Sequence, residues 1–296
     1  MGYTPNMQNT LKTTVLMALL VVVFAYLGKL LGGQQGMILG LIFAAVSNFF
    51  SYWFSDKMVL KMYKAKEVNE TSAPELYSMV RGLTMNANIP MPKVYIIQNP
   101  TPNAFATGRN PEHAAVAVTT GILNLLDHDE LSGVIGHELT HIANRDILVQ
   151  TIAATFAGAI SILASIARWG AMLGGGRSRD GENSNPLALI AAMIFAPMAA
   201  MLIQMAISRS REYGADKGGA KICGNPLYLA RALQKLELGA QHYPMDDATP
   251  ETAHMFIINP ISGLKGIKNL FRTHPITAER IKRLEAMAQN PSLMNG

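Results

Sequence analysis

Long apolar runs separated by polar stretches are the main pattern of this chain. Near the N-terminus, Thr13 to Leu31 and Gly36 to Phe54 are almost free of charge, and each is long enough to cross a hydrocarbon layer of ~30 Å. Glycine and glutamine fill the turn between them, so we expect a transmembrane helical hairpin. Trp53 falls where an interfacial aromatic belt belongs. Four basic residues follow and indicate the cytoplasmic end of the second run: Lys57, Lys61, Lys64 and Lys66.

Two further apolar runs, Ile147 to Ala167 and Leu187 to Ser208, carry no charge and predict a second transmembrane hairpin. A stretch rich in glycine, arginine and serine, 170–185, is the flexible loop expected between them. Pro197 is expected to kink the last helix because its ring clashes with the preceding turn. The same two runs could instead be core helices of a large soluble protein, and this alternative stays open.

The segments outside the hairpins have the patterns of a soluble, mixed domain. Pro74 to Asn88 predicts a helix that Thr71 and Ser72 open, and Pro226 to Leu238 and Ala278 to Met287 predict later helices. Three short stretches of small, branched and aromatic residues predict strands, the last two joined by a Gly-Arg-Asn-Pro turn: Lys93 to Ile97, Asn103 to Thr107 and Ala114 to Thr119.

We therefore expect an α+β fold, mostly helical, with a small sheet and about four transmembrane helices in two hairpins. The expected division is 1–56 for the first hairpin, 57–146 for the first part of the soluble domain, 147–208 for the second hairpin and 209–296 for its second part. The composition agrees with membrane segments, since 49% of the residues are hydrophobic and only 15% are charged.

Charge and cysteine content exclude some other classes. The net charge is +5, but no Lys/Arg block with interleaved aromatic residues is present, so nucleic acid is not an expected partner. Cys223 is the single cysteine and cannot form an intrachain disulfide.

The stretch from His137 to His141 holds the clearest chemical signal. It has the pattern His-Glu-x-x-His, and residues four apart lie on one face of a helix. His137 and His141 could therefore bind one zinc ion, with Glu138 placed to take a proton from a zinc-bound water as that water attacks a carbonyl. Acids and N-cap candidates from Asp127 to Glu130, followed by apolar residues at helical spacing, predict that the motif lies on a helix.

A catalytic zinc needs a third protein ligand and an open position. Glu212 and Asp216 lie one helical turn apart, directly after the last apolar run. We expect Glu212 to bind the metal and Asp216 to hold the outer N–H of His137. Taken alone, both acids could equally be solvated partners of Arg209 and Arg211. A hairpin between the two segments would return Glu212 to the histidines on one side of the membrane.

The residues from His137 to Asp146 and from Glu212 to Asp216 resemble those of the HtpX group of integral-membrane zinc metallopeptidases, relatives of the Ste24-type prenyl-protein peptidases. The likeness extends to the paired N-terminal runs and to three short segments: Pro102 to Gly108, Phe256 to Pro260 and Thr273 to Pro275. The resemblance implies a zincin domain of the gluzincin type with one zinc ion per subunit. It also implies an endopeptidase of the bacterial inner membrane that faces the cytoplasm, cleaves misfolded or damaged membrane proteins, and is capable of self-cleavage.

Other polar residues have two readings. Asn103, Ala104 and Phe105 could form the strand along which a peptide substrate adds, which the resemblance favours, or an ordinary short strand. His274 could stabilise the oxyanion of the transition state, or cap the final helix ahead of a proline. Asn144 and Asp146 are expected to cap the junction of the site helix with the apolar run that follows, rather than to bind the metal.

Two other classes compete with the enzyme. A membrane scaffold could hold zinc structurally, although such sites usually have four protein ligands and would give Glu138 no purpose. A soluble zincin would use the apolar runs as core helices. Natural substrates and oligomeric state are not evident from the residues.

Overall fold

A computed structural model of the chain describes residues 7–149, 209–242 and 275–295. The predicted second hairpin with its loop at 170–185, and also His274, therefore lie outside the described residues. The described helices are α1 (Met7–Met62), α2 (Pro74–Ala87), α3 (Thr120–Leu125), α4 (His128–Asn144), α5 (Arg209–Cys223), α6 (Pro226–His242), α7 (Thr277–Gln289) and α8 (Ser292–Asn295). The strands are β1 (Lys66–Val68), β2 (Lys93–Ile97), β3 (Ala104–Gly108) and β4 (Ala114–Thr119).

The helical segment α1 reverses its direction at Gly33, which has a φ of +61°. Behind this turn the two arms lie side by side. The rings of Phe24 and Phe43 are 4.9 Å apart, and the side-chain amide of Asn48 donates to the backbone oxygen of Met17 at 3.2 Å. A hairpin was predicted here, and the described residues form one.

Among the described residues, one helix is long and apolar enough to cross a membrane, from Gly33 to Phe54. The arm before the turn contributes a shorter apolar stretch, Thr13 to Tyr26. Large apolar side chains on the longer arm face outward; Leu39, for example, is 67% exposed. About four membrane helices were predicted, and the part of the chain that is described contains one candidate span.

The sheet has the strand order β1-β2-β4-β3, with β2 and β4 parallel and the other two pairs antiparallel. Its last three strands were predicted and are confirmed; the short strand β1 was not predicted. One face packs on the end of α1, where Val59 and Leu60 meet Phe105. The opposite face, with Val116 and Val118, belongs to the main core around α4.

Helix α4 runs through the centre of the domain, and every residue from Glu130 to Ala143 is buried. Its start is a capping box, in which the Asp127 carboxylate accepts from the backbone N–H of Glu130 and the Glu130 carboxylate accepts from that of Asp127. Lys235 on α6 also bonds Glu130, at 2.6 Å. The helix ends where Arg145 takes a left-handed conformation, with a φ of 58°.

The predicted opening of α2 by Thr71 and Ser72 is wrong. The N-cap position is Ala73, which makes no side-chain cap hydrogen bond, and Pro74 begins the helix. A proline at the first helical position needs no cap for its own nitrogen, since it has no N–H. The two hydroxyl residues instead belong to the turn before the helix, where the Asn69 side chain accepts from both of their backbone N–H groups at 3.0 Å.

Candidate metal centre

The two histidines of α4 point at each other across one face of the helix. Their Nε2 atoms are 3.2 Å apart, and the two side chains are only 2% and 5% exposed. Buried imidazoles need partners, because an unpaired polar group in a protein interior loses its hydration without replacement. The helical spacing predicted from the sequence thus produces two nitrogens aimed at one point.

Glu212 in the first turn of α5 supplies a third atom at the same point. Its Oε2 lies 3.7 Å from Nε2 of His137, and its Oε1 lies 3.7 Å from Nε2 of His141. Two tetrahedral zinc ligands at ordinary bond lengths are separated by about 3.3–3.4 Å. The observed separations of 3.2 and 3.7 Å bracket this value, so these three residues fit a metal ion. Among the described residues they form the one such group.

Glycine residues bring α5 and α6 against α4 at this point. A Cβ added at Gly219 would lie 2.7 Å from the backbone nitrogen of His137, and one at Gly136 would lie 2.9 Å from the Gly219 oxygen. A Cβ at Gly133 would meet the backbone of Leu229 on α6 at 2.5 Å. The backbones can approach so closely only because these positions lack side chains. This contact places Glu212 opposite the histidines.

Asp216, one turn after Glu212, stands behind His137. Its Oδ1 is 3.0 Å from Nδ1 of the imidazole, within hydrogen-bond distance although the pair is not well aligned. The other partner of this carboxylate is Arg280 on α7, which donates to both oxygens, from Nη2 at 2.7 Å and from Nε at 2.9 Å. Burial alone would raise the pKa of Asp216, but the charge of Arg280 and the hydrogen bonds of His137 and Arg280 outweigh it and lower the pKa to about 2.

Asp146 takes the corresponding place behind His141. The left-handed residue that ends α4 is Arg145. The Asp146 carboxylate, predicted to cap the junction of this helix with the next run, lies 3.2 Å from Nδ1 of His141. Burial would lower the pKa of this histidine, but the Asp146 hydrogen bond and the charges of Glu212 and Glu138 raise it to about 9.

The pKa of Arg211 is lowered by burial, an effect that the negative charges of Asp146 and Glu212 partly offset. An arginine therefore accompanies each of the two supporting carboxylates, Arg211 near Asp146 and Arg280 on Asp216.

Glu138 of α4 reaches toward the sheet. Its Oε2 accepts a hydrogen bond of 2.9 Å from the backbone N–H of Ala106, and the side chain is buried. Within the described residues β3 is an edge strand that pairs only with β4, and this N–H points to the edge that is open there. The carboxylate is therefore held between α4 and the strand edge.

The residues of the predicted substrate strand, Asn103, Ala104 and Phe105, do not all point to the same side. Backbone groups of Asn103, just before β3, bond to Thr119 on the inner side of the strand. The ring of Phe105 packs against Tyr63, the residue after α1, with centroids 5.6 Å apart. Successive residues of a strand direct their backbone N–H and C=O groups to opposite sides, so those of Ala104 point to the same edge as those of Ala106.

Sequence reasoning missed two of the groups around the centre. Arg280 could have been found, because it lies four residues before the buried Leu284 on an amphipathic helix, so that its side chain belongs to the apolar face. The Ala106 N–H had no signal, since a backbone group is the same at every residue. His113 and His128 lie on the surface, where both are exposed.

Two helical histidines, an intervening glutamate and a carboxylate from a second helix define the centre of a metallopeptidase. A family model described as "Peptidase family M48" matches residues 70–288, most of the chain. The chain belongs to this family of metal-dependent proteases. The predicted resemblance and the predicted enzyme class, a metalloprotease, are confirmed.

Similar proteins cover nearly the whole chain. A "Protease HtpX homolog" of Methylibium petroleiphilum is 58% identical over 283 residues, covering 95% of this chain and 98% of that protein. Another, from Syntrophotalea carbinolica, is 56% identical over 279 residues and covers 94% and 99%. The crystal structure of S. mikatae Ste24p matches with a TM-score of 0.51 at 18% identity, covering 94% of this chain and 66% of that one. This last likeness is one of fold.

Proposed function

We propose that the protein is a zinc-dependent membrane endopeptidase that hydrolyses peptide bonds with Glu138 as general base. One zinc ion per subunit would be held by His137, His141 and Glu212. The observation that carries this proposal is the convergence of three buried ligand atoms from two helices, with separations that suit a tetrahedral ion. Three protein ligands leave a position for water, which is the arrangement of catalytic rather than structural zinc sites.

Bound zinc would act as a Lewis acid that lowers the pKa of water and polarises the scissile carbonyl. Glu138 takes a proton from the attacking water and later gives it to the leaving amide nitrogen. Its hydrogen bond from the Ala106 N–H holds the carboxylate at the strand edge. Asp216 and Asp146 keep the two imidazoles in orientation by holding their Nδ1 atoms.

A peptide substrate would add in extended form along the open edge of β3, continuing the sheet by one strand. The backbone groups of Ala104, Ala106 and Gly108 that point outward would pair with it. Of the predicted residues Asn103, Ala104 and Phe105, this supports Ala104 as a contact of the substrate. A strand in this position would bring a peptide carbonyl beside Glu138, since the Ala106 N–H already contacts that side chain. His274 remains the proposed donor to the oxyanion.

The substrates we propose are misfolded or damaged membrane proteins, cleaved at the cytoplasmic face of the bacterial inner membrane. Support comes from the apolar helix Gly33–Phe54, from the exposed Lys57 and Lys61 that follow it, and from the packing of that helix's end on the sheet. Since α1 continues from the span into Val59 and Leu60, the sheet is attached directly beneath the membrane surface.

The test is cleavage of a loosely folded protein by the detergent-purified chain, wild type against Glu138→Gln, with metal analysis on both. We expect one zinc per chain in each protein and a loss of turnover of about a thousandfold or more in the variant, because an amide cannot accept the proton. Glu285→Gln, an exposed position on α7, is the matched control and retains activity. Undiminished turnover by Glu138→Gln would remove this residue as the base.

A further inference from the structure

Arg280 is a buried charged side chain that the proposed reaction does not use directly. It is 1% exposed, and it is the largest of the side chains that are almost fully buried among the described residues. It reaches the metal centre from α7, 64 residues along the chain from Asp216. Burying a guanidinium is unfavourable unless its charge is compensated, so its position requires an explanation.

The geometry of the pair is that of a two-point clamp. Nη2 of Arg280 donates to Oδ1 of Asp216 at 2.7 Å, and Nε donates to Oδ2 at 2.9 Å. Parallel hydrogen bonds of this kind define both the distance and the plane of a carboxylate. Oδ1 is also the atom that lies 3.0 Å from Nδ1 of His137. The oxygen that faces the histidine is therefore the oxygen that the arginine positions.

The charge of Arg280 also links this residue to His137 through Asp216. Without Arg280, Asp216 would be an uncompensated carboxylate in an interior that already holds the acidic side chains of Glu212 and Glu138. Burying such a group without a partner is unfavourable, so the carboxylate would turn toward water and away from His137. The imidazole would then lose its fixed orientation.

We propose that Arg280 is a positioning residue of the metal centre: it clamps and neutralises Asp216 so that this carboxylate holds His137 in the orientation that binds the metal. The C-terminal helix α7 is then part of the metal site, although it contributes no ligand. This inference rests on the proposed function, in which His137 is a zinc ligand. A simpler alternative is an ion pair that only joins α5 to α7.

The experiment is a double-mutant cycle on the full-length, detergent-purified protein, with variants Arg280→Gln, Asp216→Asn and the combination of the two. Zinc affinity is measured by competition with a chelator, and thermal unfolding is followed with and without zinc. Lys282→Gln, which removes one exposed positive charge from the same helix, is the matched control. Arg280→Lys keeps the charge and loses the two-point clamp.

We expect Arg280→Gln to bind zinc about 10–100-fold more weakly than wild type, the usual effect of losing an outer partner of a metal ligand. Lys282→Gln stays within about twofold, as expected of a surface change away from the site. Arg280→Lys falls between the two. The double variant binds zinc about as well as Asp216→Asn alone, because removing the carboxylate removes the reason for the arginine.

Unchanged zinc affinity in Arg280→Gln overturns the proposal, even if its unfolding temperature falls, since that is the result of a merely structural ion pair. Fully additive effects in the double variant also overturn it. If Arg280→Gln does not fold, recovery of folding in the double variant supports the proposal, and a double variant that also fails to fold contradicts it. Wild-type protein that binds no zinc would instead refute the proposed function, and this is measured first.

Discussion

Helix α4 and the span of α1 from Gly33 to Phe54 both depart from the ordinary burial pattern. Helix α4 buries ionisable side chains, whereas the span of α1 exposes apolar ones. On α4 the ionisable side chains of His137, Glu138 and His141 are inside, each less than a tenth exposed. On α1 apolar side chains are outside, with Leu39 67% and Ile42 56% exposed. In a soluble domain, buried charges are rare unless paired, and large contiguous exposed apolar surfaces are rare.

The difference between the two helices shows what each requires from its surroundings. A group of buried imidazoles and carboxylates is stable when a cation and buried counter-charges compensate it. A helix covered with exposed isoleucine, leucine and phenylalanine is stable in a hydrocarbon layer. The reversed pattern of α4 thus indicates a metal, and that of α1 indicates lipid.

The change expected to have the largest effect removes the ligand that α4 does not provide. Glu212→Ala leaves only two imidazoles for the metal, so we expect zinc content to fall from one per chain to near zero at micromolar zinc and cleavage to fall about a thousandfold or more. Metal analysis after gel filtration measures the first effect and peptide hydrolysis the second. Glu237→Ala, at an exposed position on α6, is the control. Unchanged stoichiometry in Glu212→Ala would show that this residue is not a ligand.

A cysteine scan tests the lipid side of the comparison. In a Cys223→Ser background, Ile42→Cys is expected to react with a membrane-impermeant maleimide at least about tenfold more slowly in native membranes than in denaturant, because lipid excludes the reagent. Met62→Cys, at the end of the same helix beyond the span and 56% exposed, reacts quickly in opened vesicles. Equal labelling of both positions in membranes would mean that this surface of α1 faces water.

Half of the metal centre could be predicted from local sequence. His137, Glu138 and His141 lie within five residues, and the period of an α-helix alone relates their directions. The start of α4 could be predicted for the same reason, since Asp127 and Glu130 stand three residues apart and cap each other.

The other half depends on packing between distant segments. Glu212 could be proposed as a ligand only by assuming that a hairpin returns it to the histidines, and the contact that brings it there is made by Gly136 and Gly219. Arg280 was missed, and the contact of Asp146 with His141 was not predicted, because a single charged residue has the same local pattern whether it is solvated or buried. The chain outside the described ranges leaves the second hairpin and His274 as predictions.

The glycine contact can be broken without touching a ligand. Gly219→Ala places a Cβ 2.7 Å from the backbone nitrogen of His137, where no flexible side chain can move aside. We expect a loss of about 1–3 kcal/mol in the free energy of unfolding, with weaker zinc binding, because α5 must shift away from α4. Gly214→Ala lies on the same helix with nothing within 4 Å of the added Cβ. Its free energy of unfolding should rise by about 0.5–1 kcal/mol, because alanine has the higher helix propensity.

Denaturant unfolding of both variants in the presence and absence of zinc gives these differences. If the two alanine substitutions had the same effect, the close approach of α4 and α5 would not be needed for the site.

The smallest expected effect concerns the protons that the metal must replace. In the metal-free fold, burial would lower the pKa of His141, but the Asp146 hydrogen bond and the nearby carboxylates raise it from 6.5 to about 9. Because the folded pKa is the higher one, protonation stabilises the metal-free fold fully below pH 6.5, and this contribution is lost as the pH rises through 9. Zinc competes with the same proton, so its affinity should rise about tenfold per pH unit across this range.

Chelator competition at pH 6.5, 7.5 and 8.5, corrected for the chelator's own protonation, measures this slope. Asp146→Asn removes a hydrogen bond and a negative charge that raise the pKa of His141, so its slope should begin to flatten at a lower pH than in wild type. A zinc affinity that did not change between pH 6.5 and 8.5 would mean that His141 is already neutral in the metal-free fold. The buried charges of α4 would then be compensated without a proton on His141. In that case the metal alone would account for the difference between the buried charges of α4 and the exposed apolar surface of α1.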